Sequence, residues 1–382
     1  MAPSLMPARG QTPIAHFRPT DTLFSTPTYT LLAKGGRALT TVSLPDLPEA
    51  VPKALTGHGR TGLVIGAISF DGSASRLRFA ERVTRHEPLT VRPCLRCASA
   101  VWRVAAKPSA EDHIATVRLI RDRIAAGEAN RIVLAQTLTA TGSHGLDVTD
   151  LLIHLSGRAP YTFALPLGHG RTLVGTSAEL LIARHGRALT THPLAGAAPR
   201  HPTSFADQKA ARDLLNSRKK RYEHRLVVES AAATLAPFCR DLRVPKQPQL
   251  QATATMWHLG SRITATLTDP PPTSLGLAAE LHPPPTSCGT PTQAARTLIT
   301  ELEHGNGVRR GWYAGLVGWQ NAAGDGEWAL TLCCAVTESP RRLRLWAGAG
   351  ITAASEPADV LLETSTQLAT MLQALHAIPR LH

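Results

Sequence analysis

"EDHIATVRLIRDRIAAGEANRIVLAQTLTATG", residues 111–142, changes its periodicity part-way along. Over its first half Ile114, Val117, Ile120 and Ile124 recur at helical spacing, and Gly127 suits a C-terminal stop. From Arg131 onward the pattern is β-type, opened by Ile132-Val133-Leu134. A helix handed to a strand through a short glycine-containing joint predicts a mixed α and β fold. Arg131 stands at that joint, and a solvated charge at a strand entrance is the ordinary reading of a lone arginine there.

Working outward, "TGLVIGAISFDG" predicts a strand from Leu63 to Phe70 before an Asp-Gly turn, within a first hundred residues that are otherwise irregular and Pro-rich. Downstream, "RTLVGTSAELLIARHGRALTTHPLAGAAPR" reads as strand, turn at His185-Gly186, strand. Ala206 to Leu235 reads as one long helix, apolar at Leu214, Leu215, Tyr222, Leu226 and Val227 and stopped by Pro237. Glu223 lies one turn before Val227 and borders the buried stripe. Pro270–Pro272 and Pro283–Pro285 bracket a short apolar helix, too closely to divide the chain into domains. A helix around Ala294 to Leu302 follows, then a hairpin from Tyr313 to Val336 turning at Gly324-Asp325-Gly326. A strand "RRLRLWAGAGI" and a closing helix that begins near Pro357 complete the chain. Helices alternating with antiparallel hairpins give the α+β class, as a single large layered α/β sandwich domain.

The chain has 382 residues and 43% hydrophobic content, enough to bury a large core. No run approaches the ~18 apolar residues of a membrane span, and the first residues show no apolar signal core. The expectation is a cytoplasmic protein with no membrane partner. The net charge is +13, from 41 Lys plus Arg against 28 acids. The densest basic cluster, "SRKKRYEHR", lies in a helical pattern without interleaved aromatic platforms, so no nucleic-acid partner is expected. Cys94 and Cys97 form a single CxxC without the further ligands a zinc site needs, and Cys333-Cys334 lies in a strand-like run.

Chemistry gathers near the C-terminus. Gly348-Ala349-Gly350 places small residues just before a helix, where main-chain N–H groups can approach a carboxylate or phosphate. In that helix Glu363 and Gln367 share a face. Glu223 and Glu363 are candidate ligands of a hard cation, although no local spacing links them.

Several segments, in order over about residues 60 to 375, resemble the chorismate-utilising enzymes and, among them, the isochorismate synthases. They are "LVIGAISFDG", "RIVLAQTL", "VGTSAELLIARHGRALTTHPLAGAAPR", "LLNSRKKRYEHRLVV", "MWHLGSRI", "LHPPPTSCGTPTQAA", "GWYAGLVGWQNAAGDGEWAL" and "LWAGAGITAASEPADVLLETSTQLATML". Aminating relatives continue the Glu-His helix with an Asp-Leu-x-Arg-Asn-Asp-like run and carry a Gly-Ala-Pro-Lys-like turn. "VVESAAATL" and "CGTPTQAA" stand in their place here, which implies the water-adding branch and no glutamine amidotransferase subunit.

The resemblance implies residues 59–378 as the chorismate-binding domain, residues 1–58 as a divergent N-terminal segment of the same fold, and Mg²⁺ as cofactor. It implies water attack at C2 of chorismate and loss of the C4 hydroxyl, within siderophore, menaquinone or salicylate-type metabolism. Glu179 matches the general acid, and Glu223 and Glu363 match the metal carboxylates. His258, Thr286, Tyr313, Gly348 and Gly350 match substrate-pocket positions, the two glycines forming a backbone turn that receives a carboxylate.

The match breaks at the site itself. Arg131 stands where the family has its water-activating lysine; a guanidinium keeps its proton to pH ~12 and is a very poor base. Cys333 replaces a substrate-binding arginine and Gln367 a lysine, removing two contacts each worth ~1.5–3 kcal/mol. Lys220 replaces the aspartate of the Lys-Asp-Arg-x-Glu-His pattern, and Thr286 and Ser287 replace smaller or apolar residues. These departures also fit an alternative, a catalytically impaired or repurposed member that takes a different, less anionic ligand.

Overall fold

The computed structural model describes residues 13–39, 42–57, 62–89 and 101–375. Two antiparallel sheets face one another. The ten-stranded sheet runs in the order Gly289–Thr290, Arg131–Gly142, Arg342–Ile351, Cys333–Ser339, Arg171–Ser177, Tyr161–Gly168, Thr22–Ser25, Thr30–Lys34, Arg82–His86, with Trp102–Lys107 pairing beside Arg131–Gly142. The eight-stranded sheet runs Ile263–Thr266, Ala188–His192, Leu180–His185, Gly326–Leu330, Leu316–Asn321, Leu63–Ile68, Ser75–Phe79, Arg37–Ala38. Phe24, Phe163 and Leu173 of the first sheet pack on Ile65, Val317 and Ala329 of the second, forming a core between them.

Helices cover the outer faces. Helices α1 (Leu47–Gly57), α5 (Arg218–Leu235) and α6 (Ser274–Leu281) bury apolar faces on the eight-stranded sheet. Helices α3 (Val148–Leu155) and α8 (Pro357–Ala374) do so on the ten-stranded sheet. Helices α2 (Ala110–Ala125) and α7 (Thr292–Gly305) close its Arg131 end. A small sheet of Leu194–Pro199, Met256–Gly260 and Gln249–Ala252 stands apart, with α4 (Ser204–Asn216) against it. The layered α+β architecture expected from the alternation of elements is therefore present. No helix among the described residues is long and apolar enough to cross a membrane.

The joint in residues 111–142 is a helix and a strand. Ser109 caps α2 by accepting the Asp112 N–H, and Gly127 takes φ +87° just beyond the helix. Val117, Ile120 and Ile124 are buried against Ile132 and Leu134, while Ile114 is only half-buried and His113 and Thr116 complete the inner face.

Other expectations need correction. The single helix from Ala206 to Leu235 is two, α4 and α5, because Ser217 is extended (ψ 111°) and its Oγ accepts the Lys220 N–H at 3.3 Å, restarting the helix. Within α5, Tyr222 is exposed, and Glu223, His224 and Val227 are buried. The apolar run from Thr172 is not one strand: it leaves the ten-stranded sheet at Ser177 and enters the eight-stranded sheet at Leu180. The second arm of the Tyr313–Val336 hairpin likewise ends at Leu330, and Cys333 opens a strand in the other sheet. Hydrophobic patterning cannot mark such crossings, since both halves are buried. Cys94 and Cys97 lie outside the described residues.

Candidate functional site

The two sheet crossings lie side by side. Thr176 pairs with Cys333 in one sheet, Leu180 with Ala329 in the other, and the Glu179 carbonyl accepts the Leu330 N–H at 3.2 Å between them. A cavity opens at this point, bounded by the crossings, the Arg131 end of the ten-stranded sheet, the small sheet and the inner face of α8. Glu179 and Cys333 line it from the crossings; Arg131, Gly348 and Gly350 from adjacent strands; His258 from the small sheet; Glu363 and Gln367 from α8. Thr286 and Tyr313 complete the wall. Glu223 alone of the expected residues does not line the cavity. It is buried just behind, one turn along α5 from Lys220.

Glu179 is 2% exposed, and burial raises its carboxyl to about 8, against opposing pulls from the Leu194 N–H and the Arg131 charge. It therefore holds a proton at neutral pH. His258 is pushed down to about 4 by burial and is neutral there. The Cys333 thiol is pushed up to about 11 by burial and stays protonated.

Arg131 is buried rather than solvated. Its Nη1 donates to the Pro285 carbonyl, while Nε has no hydrogen-bond partner among the described residues. Burial lowers its pKa, and the charges of Glu223, Glu363 and Glu179 oppose that change. The strand behind it is held by a buried pair: Arg310 Nη2 donates to Glu303 Oε1 at 2.6 Å and to the Val133 carbonyl at 2.7 Å, and Glu303 accepts the Ala135 N–H at 2.9 Å.

Gly348 and Gly350 do not form a turn. Both lie within the Arg342–Ile351 strand, paired with Ala135 and Val133, and residues two apart on a strand share a face. Their missing side chains make room for other groups: a Cβ would stand 2.5 Å from the Tyr313 hydroxyl at Gly348 and 2.3 Å from Arg131 Nη2 at Gly350. The Gly348 N–H is already taken, donating to Gln367 Oε1 at 3.4 Å. The glutamine that replaces a lysine thus occupies an amide expected to receive a carboxylate.

Two residues gain importance only in three dimensions. Arg158, in the loop after α3, lines the cavity close enough to Cys333 for the guanidinium to act on the thiol's charge. Its Nε donates to the His154 carbonyl and its Nη1 to Gln373 Oε1 of α8 at 3.2 Å. Lys220 reaches between the expected metal ligands, with Nζ 3.1 Å from Glu363 Oε2 and 3.7 Å from Glu223 Oε2. No local pattern in "HLSGRAPY" marks Arg158. Lys220 was visible as a departure, but its contact with Glu363 spans 143 positions.

Residues 44–373 match the chorismate binding enzyme family along most of the chain. The chain belongs to that family. Among its relatives in the chorismate binding family is the isochorismate synthase DhbC of Bacillus subtilis, 41% identical over 340 residues, covering 86% of this chain and 84% of the relative. Isochorismate synthase EntC of Escherichia coli is 38% identical over 64% of this chain and 62% of its own. A crystal structure of the protein assigned as the 2,3-dihydroxybenzoate-specific isochorismate synthase DhbC of Bacillus anthracis superposes with TM-score 0.88 at 35% identity, over 96% of this chain and 99% of that one. MenF of Escherichia coli shares the fold, with TM-score 0.79 at 21% identity, over 93% of this chain and 88% of its own.

Proposed function

We propose that this chain binds chorismate in the cavity between the sheet crossings and converts it to isochorismate, with Glu179 as general acid. One observation carries the reading: Glu179 is buried in that cavity with its carboxyl raised to about 8, beside the fixed charge of Arg131. An acid that keeps its proton at neutral pH can deliver it to a departing C4 hydroxyl. Isochorismate synthases among the relatives support the same reaction.

Arg131 can orient a water for attack at C2 but cannot take its proton. The neutral imidazole of His258 and the Glu363 carboxylate, both on the same cavity, are side chains that can accept it. Mg²⁺, implied by the resemblance, would supply charge neutralisation of the substrate carboxylate when bound. Glu223 and Glu363 are the carboxylates that would hold it, and the Lys220 ammonium between them does not fit a divalent ion at that place.

A second reading, a repurposed member that binds a less anionic ring without turnover, is favoured by Arg131, Cys333 and Gln367 standing together on one cavity. Incubating the purified chain with chorismate, with and without Mg²⁺, and separating the products by chromatography tests both. Isochorismate above the protein-free control supports the first reading. A folded chain that gives none supports the second.

A further inference from the structure

We propose that Lys220 is the resident cation of this site, its ammonium standing in for a divalent ion between Glu223 and Glu363 and leaving the pocket independent of metal. The inference rests on reading those two glutamates as the family's metal carboxylates, but not on turnover of chorismate.

The geometry is built rather than incidental. Ser217 restarts the helix so that Lys220 and Glu223 sit on one face of its first turns, and Nζ lies 3.1 Å from Glu363 and 3.7 Å from Glu223. Gly196, at φ +82°, lets the neighbouring strand close on the lysine: a Cβ there would be 3.2 Å from Lys220 Cβ. The ammonium is largely enclosed, with its side chain 21% exposed. Its Nζ donates to Glu363 Oε2, so the lysine is tied into the carboxylate pair rather than pointing to solvent.

The substitution at this position points the same way. Exchanging the family's aspartate for lysine changes the local charge by two units, the charge of the ion it replaces. Mg²⁺ binds carboxylate oxygens at about 2.0–2.1 Å, and an ammonium in contact with both carboxylates repels it and blocks that approach. The ring carboxylate of a ligand would then meet Arg131 on the cavity wall, as a charge-assisted hydrogen bond rather than metal coordination.

Titration of the full chain with Mn²⁺ alone, followed by electron paramagnetic resonance, tests this. The expected result is no saturable Mn²⁺ site below millimolar concentration in the wild type. Lys220→Asp should gain one site at least ten-fold tighter, and Lys220→Asp with Glu363→Gln should lose it. Thermal melts with and without Mn²⁺ follow each chain, because the Asp variant gathers three carboxylates and should be stabilised by the ion. Lys220→Met carries the same comparison if the Asp variant does not fold. A wild-type chain that takes up one Mn²⁺ at micromolar concentration and loses it on Glu363→Gln overturns the proposal. So does a folded Lys220 variant that still takes up none. Failure to form isochorismate affects neither outcome.

Discussion

Arg131 and Gly350 interlock: Nη2 of the arginine lies 2.3 Å from the place a Cβ on Gly350 would take. The glycine's lack of a side chain is what admits the guanidinium to the cavity wall. Gly350→Ala should therefore displace Arg131 or strain the strand, costing about 1–3 kcal/mol. In an Arg131→Ala background most of that loss should vanish, because the two residues share one volume. Denaturant unfolding of the four chains measures the coupling, and additive losses would show that the two do not compete for space.

Arg131→Lys places an amine at the position to which the resemblance assigns the water-activating lysine. An amine, unlike a guanidinium, can give up its proton and then serve as a base. Isochorismate formation should rise at least ten-fold over the wild type in timed chromatographic assays. An unchanged rate would place the bottleneck at Cys333 and Gln367, where the substrate contacts differ.

Glu179 makes stability depend on pH. Its carboxyl titrates near 4.5 in the unfolded chain and near 8 when folded, so between those values the native state holds a proton the unfolded state has lost. This contribution is complete below about pH 4.5 and declines as pH rises through 8, with a total of the order of a few kcal/mol. Glu179→Gln removes the titration. Between pH 5 and 9 its melting temperature should fall less steeply than that of the wild type; parallel curves would mean that Glu179 is ionised in the native state. Any turnover by the wild type should decline above about pH 8 for the same reason.

Arg158 supplies a guanidinium on the same cavity as Cys333, the position to which the resemblance assigns a substrate-binding arginine. Arg158→Gln should weaken binding of a ring carboxylate such as chorismate by about ten-fold or more, as expected for loss of one charge-assisted contact. Isothermal titration of both chains reads the change. Equal affinities would remove Arg158 from the ligand contacts.

The sequence by itself determined the local elements and the residue types at the site. Periodicity in residues 111–142 marked α2 and the Arg131 strand, Pro357 marked the start of α8, and motif order placed Glu179, Glu223 and Glu363 in a family pattern. Two sheet crossings, at Ala178-Glu179 and Thr331-Leu332, were decided only by the tertiary structure, because a strand buried in one sheet and a strand buried in the next read as the same apolar run. Whether the glycines before α8 formed a turn or an extended wall depended on what packs against them, Arg131 and Tyr313, both distant in the chain. The pairing of Lys220 with Glu363 was equally invisible: an ion pair is a distance between atoms, and only folding brings α5 and α8 together. Composition supplied the charges; tertiary contact decided which carboxylates they neutralise.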